Sequence, residues 1–235
     1  MSLSNRVAII TGGTGNLGRA VVPAFLGAGA TVVVPYRTDA SINKLREHVG
    51  DEGTRLHGQQ VDVTDEAAVA RLVDAVLAEH GRIDFLLNLV GGYEGGKFLE
   101  TDLDQWDRLF RLNVRPTLVC TRAVLPHLVA QGSGRVITVG ARTALEPPSG
   151  STAYAAAKAA VVSMTQAIAR EVRTTGVTVN CVVPSTLDTE ENRRSMKGDP
   201  SRWVRPEQVA ALMLYLCSDA AAAINGAVIP VYGQL

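Results

Sequence analysis

This sequence of 235 residues is short of several things, and each shortage removes a class of function. It has no surplus of charge: 23 Lys and Arg stand against 23 Asp and Glu. That argues against a nucleic-acid partner, which asks for a basic excess. Cysteine is scarce. Cys120, Cys181 and Cys217 are odd in number and far apart, and match neither a zinc spacing nor a disulfide framework, so a reducing cytoplasm is the expected home. No apolar run is long enough to cross a bilayer, and no signal sequence stands out at the N-terminus, so no membrane partner is expected. His48, His57, His80 and His127 form no spaced cluster and read as surface or cap residues, so no metal is expected. Linkers, repeats and low-complexity segments are missing too. What remains is 46% hydrophobic and 20% charged, a globular composition on a chain long enough to bury a core.

What is present is alternation. β-branched apolar runs predict strands over 6–10, 31–36, 54–61, 83–90, 135–139, 177–182 and 227–231. Helical spacing predicts helices over 19–28, 41–49, 65–80 with Thr64 as N-cap, 104–129 with a kink at Pro116, 151–174 and 206–217. Strands that are apolar throughout, separated by helices, make an α/β fold. Its parallel sheet is covered on both faces, in a single doubly wound domain over residues 1–235. Ligands of such a sheet bind at the carboxyl ends of its strands.

The richest of those ends is Thr11-Gly12-Gly13-Thr14-Gly15-Asn16-Leu17-Gly18, between the first strand and the first helix. There Gly12 would allow a tight turn, Gly15 would leave room for a pyrophosphate, and Gly18 would let helix and strand pack closely. The helix N-terminus would offer free N–H groups to phosphate. Such a loop is also a plain glycine-rich turn in many proteins. Arg37 follows the second strand, where an acid would bind the ribose 2′-OH of NAD and an arginine the 2′-phosphate of NADP. It reads equally as a solvent-facing charge. Asp62, followed by Val63, could accept from an adenine amino group or serve as a turn residue. Asn88 and Gly91 end the fourth strand, either beside a cofactor or in an ordinary turn.

Tyr154 and Lys158 lie four apart, on one helical face. An ammonium beside a phenol lowers its pKa from about 10, which would make it a usable proton donor to a carbonyl. Taken singly the pair is weak, because this spacing is common.

Together, the glycine loop, Asp62-Val63, Asn88 to Gly91, Asn113, Tyr154-x-x-x-Lys158 and Pro184 to Thr189 stand in the order and spacing of one family. The chain resembles the short-chain dehydrogenase/reductase family over essentially its full length. The resemblance implies a Rossmann-type fold binding NAD or NADP and a small-molecule substrate. Tyr154 would be the acid/base, and Lys158 would bind the nicotinamide ribose and tune the phenol. Asn113 would hold a water in the proton relay, and Thr189 would touch the carboxamide. The cofactor-binding set would be Gly12, Gly15, Asn16, Leu17, Gly18, Arg37, Asp62, Val63, Asn88, Gly91, Tyr154, Lys158, Pro184 and Thr189. Arg37 tips the choice toward NADP over NAD. A homodimer or homotetramer is implied, through the alanine-rich face of the Tyr154 helix.

The departures from the family pattern are specific. Asn16 stands where the middle glycine is usual, Leu89-Val90 where asparagine-alanine is usual, and Ser185 where a glycine follows Pro184. Ala141 stands thirteen residues before Tyr154, at the place of the family's catalytic serine, with Thr143, Ser149 and Ser151 nearby as substitutes out of register. The segments Gly91 to Gly96 and Thr186 to Met196 are similar to those of dihydropteridine reductases, which also carry alanine at the serine place but an acid at the place of Arg37. The expected activity is hydride transfer between nicotinamide and a small carbonyl or conjugated imine, in the reducing direction. The competing reading is a catalytically weak, nucleotide-binding regulatory protein on the same fold.

Overall fold

The computed structural model describes residues 2–234. Seven strands form one parallel sheet: β1 (Val7–Thr11), β2 (Thr31–Tyr36), β3 (Leu56–Gln60), β4 (Phe85–Asn88), β5 (Gly134–Val139), β6 (Val177–Pro184) and β7 (Val228–Val231). Their spatial order is β3-β2-β1-β4-β5-β6-β7. Side chains alternate between the two faces of each strand. Ala8 and Ile10 of β1, with Val32 and Val34 of β2, enter one core layer, which also holds Phe25 and Leu26 of α1 (Gly18–Gly27) and Met213 of α9 (Pro206–Leu216). Val7, Ile9 and Val33 enter the other, with Leu72 and Val73 of α3 (Glu66–His80) and Val124 of α5 (Arg115–Gln131). Both faces are therefore dry, which is why the strands read as unbroken apolar runs.

The remaining helices are α2 (Asp39–Val49), α4 (Leu103–Asn113), α6 (Arg142–Leu145), α7 (Thr152–Glu171) and α8 (Glu190–Ser195). Several boundaries differ from expectation for local reasons. The 104–129 helix is two helices parted at Val114, because Pro116, near the start of α5, has no N–H to give the Leu112 carbonyl. Asp65, not Thr64, caps α3, accepting from the Ala68 N–H at 3.0 Å. The first part of the expected third strand is a 3₁₀ turn over Gly50–Arg55, entered through Gly50 at φ +54°. β4 stops at Asn88, the last residue paired to both neighbours, while β6 runs on to Pro184 beside Val231. Among the described residues no helix is long and apolar enough to cross a membrane.

Candidate active site

Strand order reverses between β1 and β4, so a crevice opens at their carboxyl ends. The glycine turn fills its floor. Gly12 has φ +69°, and a Cβ there would lie 2.9 Å from the backbone of Leu89 and Val90, so the turn can touch the end of β4 only as glycine. At Gly18 a Cβ would lie 2.4 Å from the carbonyl oxygens of Gly12 and Gly13. Gly18 thus lets α1 begin against its own loop, and the helix–strand packing expected of it falls to Gly13, which lies against the Val34 and Val22 side chains. Gly15 is exposed, and Leu17 is buried in the core and anchors the turn. Among the described residues the N–H groups of Asn16, Leu17 and Gly18 donate to no protein acceptor. Free N–H groups at the positive end of a helix dipole form a ready anion site. This turn fits a dinucleotide diphosphate.

Asn16 donates to Glu191 of α8 at 2.6 Å, joining the turn to a cleft of about 470 Å³ lined by Arg19, Asp188, Thr189, Glu190 and Arg194 among others. Thr189 caps α8, its hydroxyl accepting from the Asn192 N–H at 3.2 Å. Pro184 closes β6 nearby. On the other side, Arg37 is exposed past the end of β2, its carbonyl accepting from Gln60. Asp62 Oδ1 accepts from the N–H and hydroxyl of Thr64 at 2.9 and 2.7 Å. Those bonds, with the Arg37 charge, hold its carboxyl below the usual range and leave Oδ2 as its other acceptor. Val63 is buried beneath. Asn88 is buried and donates to Thr121 of α5 at 3.1 Å, a link between strand and helix.

The catalytic candidates meet where β4, α4 and α7 converge. A Cβ at Gly91 would lie 2.7 Å from Asn113 Oδ1 and 3.0 Å from Lys158 Nζ. Asn113 accepts from the Gly92 N–H at 3.1 Å and donates to the Gly92 and Leu109 carbonyls, each at 3.0 Å. Its amide is therefore spent on holding the loop after β4, and a water held here would have to use the main chain. Lys158 is buried and donates to the Val139 carbonyl at 2.9 Å. Burial pushes this ammonium down to about 8. Tyr154, one turn earlier on α7, is pushed up to about 12, by burial and then by Tyr93. The expected lowering of the phenol is not met: desolvation dominates, and the lysine is engaged on Val139 rather than on Tyr154.

Beside Tyr154 stands a residue of the loop that follows β4. The Tyr93 ring meets the Tyr154 ring edge to face, with centroids 5.0 Å apart, and the Tyr93 hydroxyl shares a 3.1 Å hydrogen bond with Ser151. Ser151 is buried immediately before α7. Thr143 and Ser149, the other substitutes for the missing serine, line a separate cavity of about 450 Å³ with Ala155, Ala156 and Ala159. The Thr143 hydroxyl is buried there with no partner among the described residues.

A family model described as short chain dehydrogenase matches residues 6–199. The chain belongs to that family. A meso-2,3-butanediol dehydrogenase of Serratia marcescens is 34% identical over 99% of this chain and 95% of its own. A 3-oxoacyl-[acyl-carrier-protein] reductase of Vibrio harveyi is 30% identical over 100% of this chain and 99% of its own. A solved short-chain dehydrogenase/reductase from Mycobacterium ulcerans superposes with a TM-score of 0.93 at 28% identity, over 100% of this chain and 90% of that one. This short-chain dehydrogenase is thus an NAD(P)-dependent oxidoreductase.

Sequence reading missed Tyr93, Glu191 and the Val139 carbonyl. The aromatic between Gly91-Gly92 and Gly95-Gly96 was a usable signal for Tyr93, whereas a backbone carbonyl has no sequence signature. His57 on β3 and His80 at the end of α3 come together with Glu79, because the helix packs back beside its strand.

Proposed function

We propose that this short-chain dehydrogenase is an NADPH-preferring reductase of small carbonyl or conjugated imine substrates. The observation that carries the reading is the convergence of Tyr154, Lys158 and the Gly91–Asn113 contact at the mouth of the crevice. The free N–H groups of Asn16, Leu17 and Gly18 would hold the diphosphate, and Asp62 the adenine. Arg37 would pair with a 2′-phosphate in a charge-assisted bond. The bound nicotinamide supplies the hydride. Gly91 leaves room at the nicotinamide end, where Lys158 would bind ribose and Thr189 the carboxamide.

In this reading Tyr154 gives its phenolic proton to the substrate oxygen or nitrogen as negative charge arrives there. A phenol near pKa 12 holds its proton at neutral pH but is a weaker acid than the free side chain, so the transfer depends on the negative charge that arrives on the substrate with the hydride. Lys158, bonded to the Val139 carbonyl, carries its charge one helical turn from Tyr154 and would act on the phenolate only across that distance. Asn113 positions rather than reacts, fixing the loop that carries Gly91 and Tyr93. With Ala141 unable to donate, the Tyr93 hydroxyl, steadied by Ser151, supplies the second hydrogen bond to the reducible atom. That second donor keeps simple ketones within reach, alongside quinonoid rings that spread the charge themselves. Assembly through the small-residue face of α7 (Ala155, Ala156, Ala159) completes the reading, and light scattering would report a dimer or tetramer.

The test is a panel of simple ketones and quinonoid dihydropterins followed by NADPH and NADH absorbance. Turnover faster with NADPH, on at least one of the two classes, supports the reading. Tight nucleotide binding with no turnover across the panel would favour the regulatory alternative, to which Ala141 also points.

A further inference from the structure

His57 lies near the start of β3, the edge strand of the sheet. α3 follows β3 and returns antiparallel to it, ending at His80. It therefore sets Glu79 and His80 beside His57 at the amino-terminal end of the sheet, opposite the end that carries Tyr154. His57 Nδ1 is 3.1 Å from Glu79 Oε1, and His80 Nε2 is 3.8 Å from the same oxygen. One ligand atom from each of the three lies within 4.8 Å of the other two. Ligands on a tetrahedral ion with bonds of about 2.0–2.2 Å sit about 3.3 Å apart, so these spacings need only small side-chain rotations to close.

Three further observations point the same way. His80 Nε2 is buried with no hydrogen-bond partner among the described residues, a cost that native proteins rarely leave unmet. Glu79 and His80 sit on the last turn of α3, where the negative end of the helix dipole favours a cation. His57 and Glu79 are partly exposed, with side-chain exposures of 34% and 52%, so an ion can enter and water can complete its shell. Two imidazoles and one carboxylate are the donor set of a borderline ion such as Zn²⁺, not of Mg²⁺ or Ca²⁺, which take oxygen.

We propose that His57, Glu79 and His80 form a binding site for a divalent transition ion of the Zn²⁺ type, clipping edge strand β3 to the end of α3. The site is structural and separate from turnover, because it lies at the opposite end of the sheet from the crevice.

The test uses untagged protein and Zn²⁺ or Co²⁺ alone as the probe. The proposal expects one saturable equivalent, a rise in melting temperature with Zn²⁺, and visible absorption from bound Co²⁺ of low coordination number. His57→Ala and Glu79→Gln should each weaken binding at least about tenfold, the size that loss of even an outer-shell partner costs. Exposed His127→Ala should leave binding unchanged, and NADPH affinity should be the same with and without Zn²⁺. Both substituted side chains are partly exposed, so the fold should survive and circular dichroism will check it. Absence of saturable binding, or equal affinity in His57→Ala and Glu79→Gln, would overturn the proposal.

Discussion

Replacing Lys158 by methionine removes an ammonium buried in the crevice while keeping most of its stem. Burial pushes this group from 10.5 down to about 8, so the folded protein holds the charge at a cost. The unfolded chain keeps the lysine proton up to its ordinary value, whereas the folded chain releases it at about 8. Between these two values the unfolded state binds more protons, so stability rises with pH. Below about 8 both states are protonated and the cost is present in full. The shift corresponds to about 3 kcal/mol, and about 2–3 kcal/mol of it should be recovered between about pH 7 and about pH 10. The methionine variant lacks the group and should not share this rise. Urea unfolding of wild type and Lys158→Met at matched pH values isolates it, since titrations far from Lys158 cancel in the difference and Tyr154 titrates above the window. The stability of wild type relative to the variant should climb by that amount across the window. A flat difference would show that the ammonium is solvated in the folded protein and would refute the burial argument.

Tyr93→Phe should lower kcat/KM for ketones by about 10²-fold, the usual loss of one oxyanion donor, and Ala141→Ser should restore part of it; an unchanged rate would remove Tyr93 from the chemistry. Arg37→Ala should weaken NADPH about tenfold and leave NADH unaffected in a fluorescence titration, and equal losses for both would deny it the 2′-phosphate. Glu191→Gln should tighten cofactor binding, most at low salt, because it removes an acid bonded to the anion-binding turn; weaker binding would show that Glu191 supports the turn instead. Gly18→Ala should cost about 1–3 kcal/mol of stability and most of the cofactor affinity, because its Cβ would meet two carbonyl oxygens at 2.4 Å; a normal melting temperature and affinity would contradict that packing.

The sheet was legible because each strand is dry on both faces, so Val32-Val33-Val34 could be read without knowing which side each residue faced. The glycine turn was legible for a related reason: only glycine fits where Gly12 meets the end of β4. Short polar helices such as α8 were not, since Glu190–Ser195 has no apolar stripe and is tied to the loop before it by polar contacts, Asn192 to Thr189 and Leu187 and Arg193 to Asp188. The break at Val114 read as a kink because a proline near the start of a second helix looks like one inside a single helix. Spacing put Tyr154 and Lys158 on one face but could not show that the lysine turns to Val139, nor that burial would raise the phenol. The glycines around it mark Tyr93, but its pairing with Ser151, like that of His57 with His80, is made by the fold and cannot be read along the chain.

The account rests on Tyr154 as the proton donor, and Tyr154→Phe tests it directly. The ring still packs against Tyr93, so NADPH should bind with wild-type affinity in a fluorescence titration. On whichever substrate of the panel the wild type reduces fastest, kcat/KM should fall by about 10²–10⁴-fold, the range for loss of a general acid. Intact cofactor binding together with near-normal turnover in Tyr154→Phe would contradict the central claim.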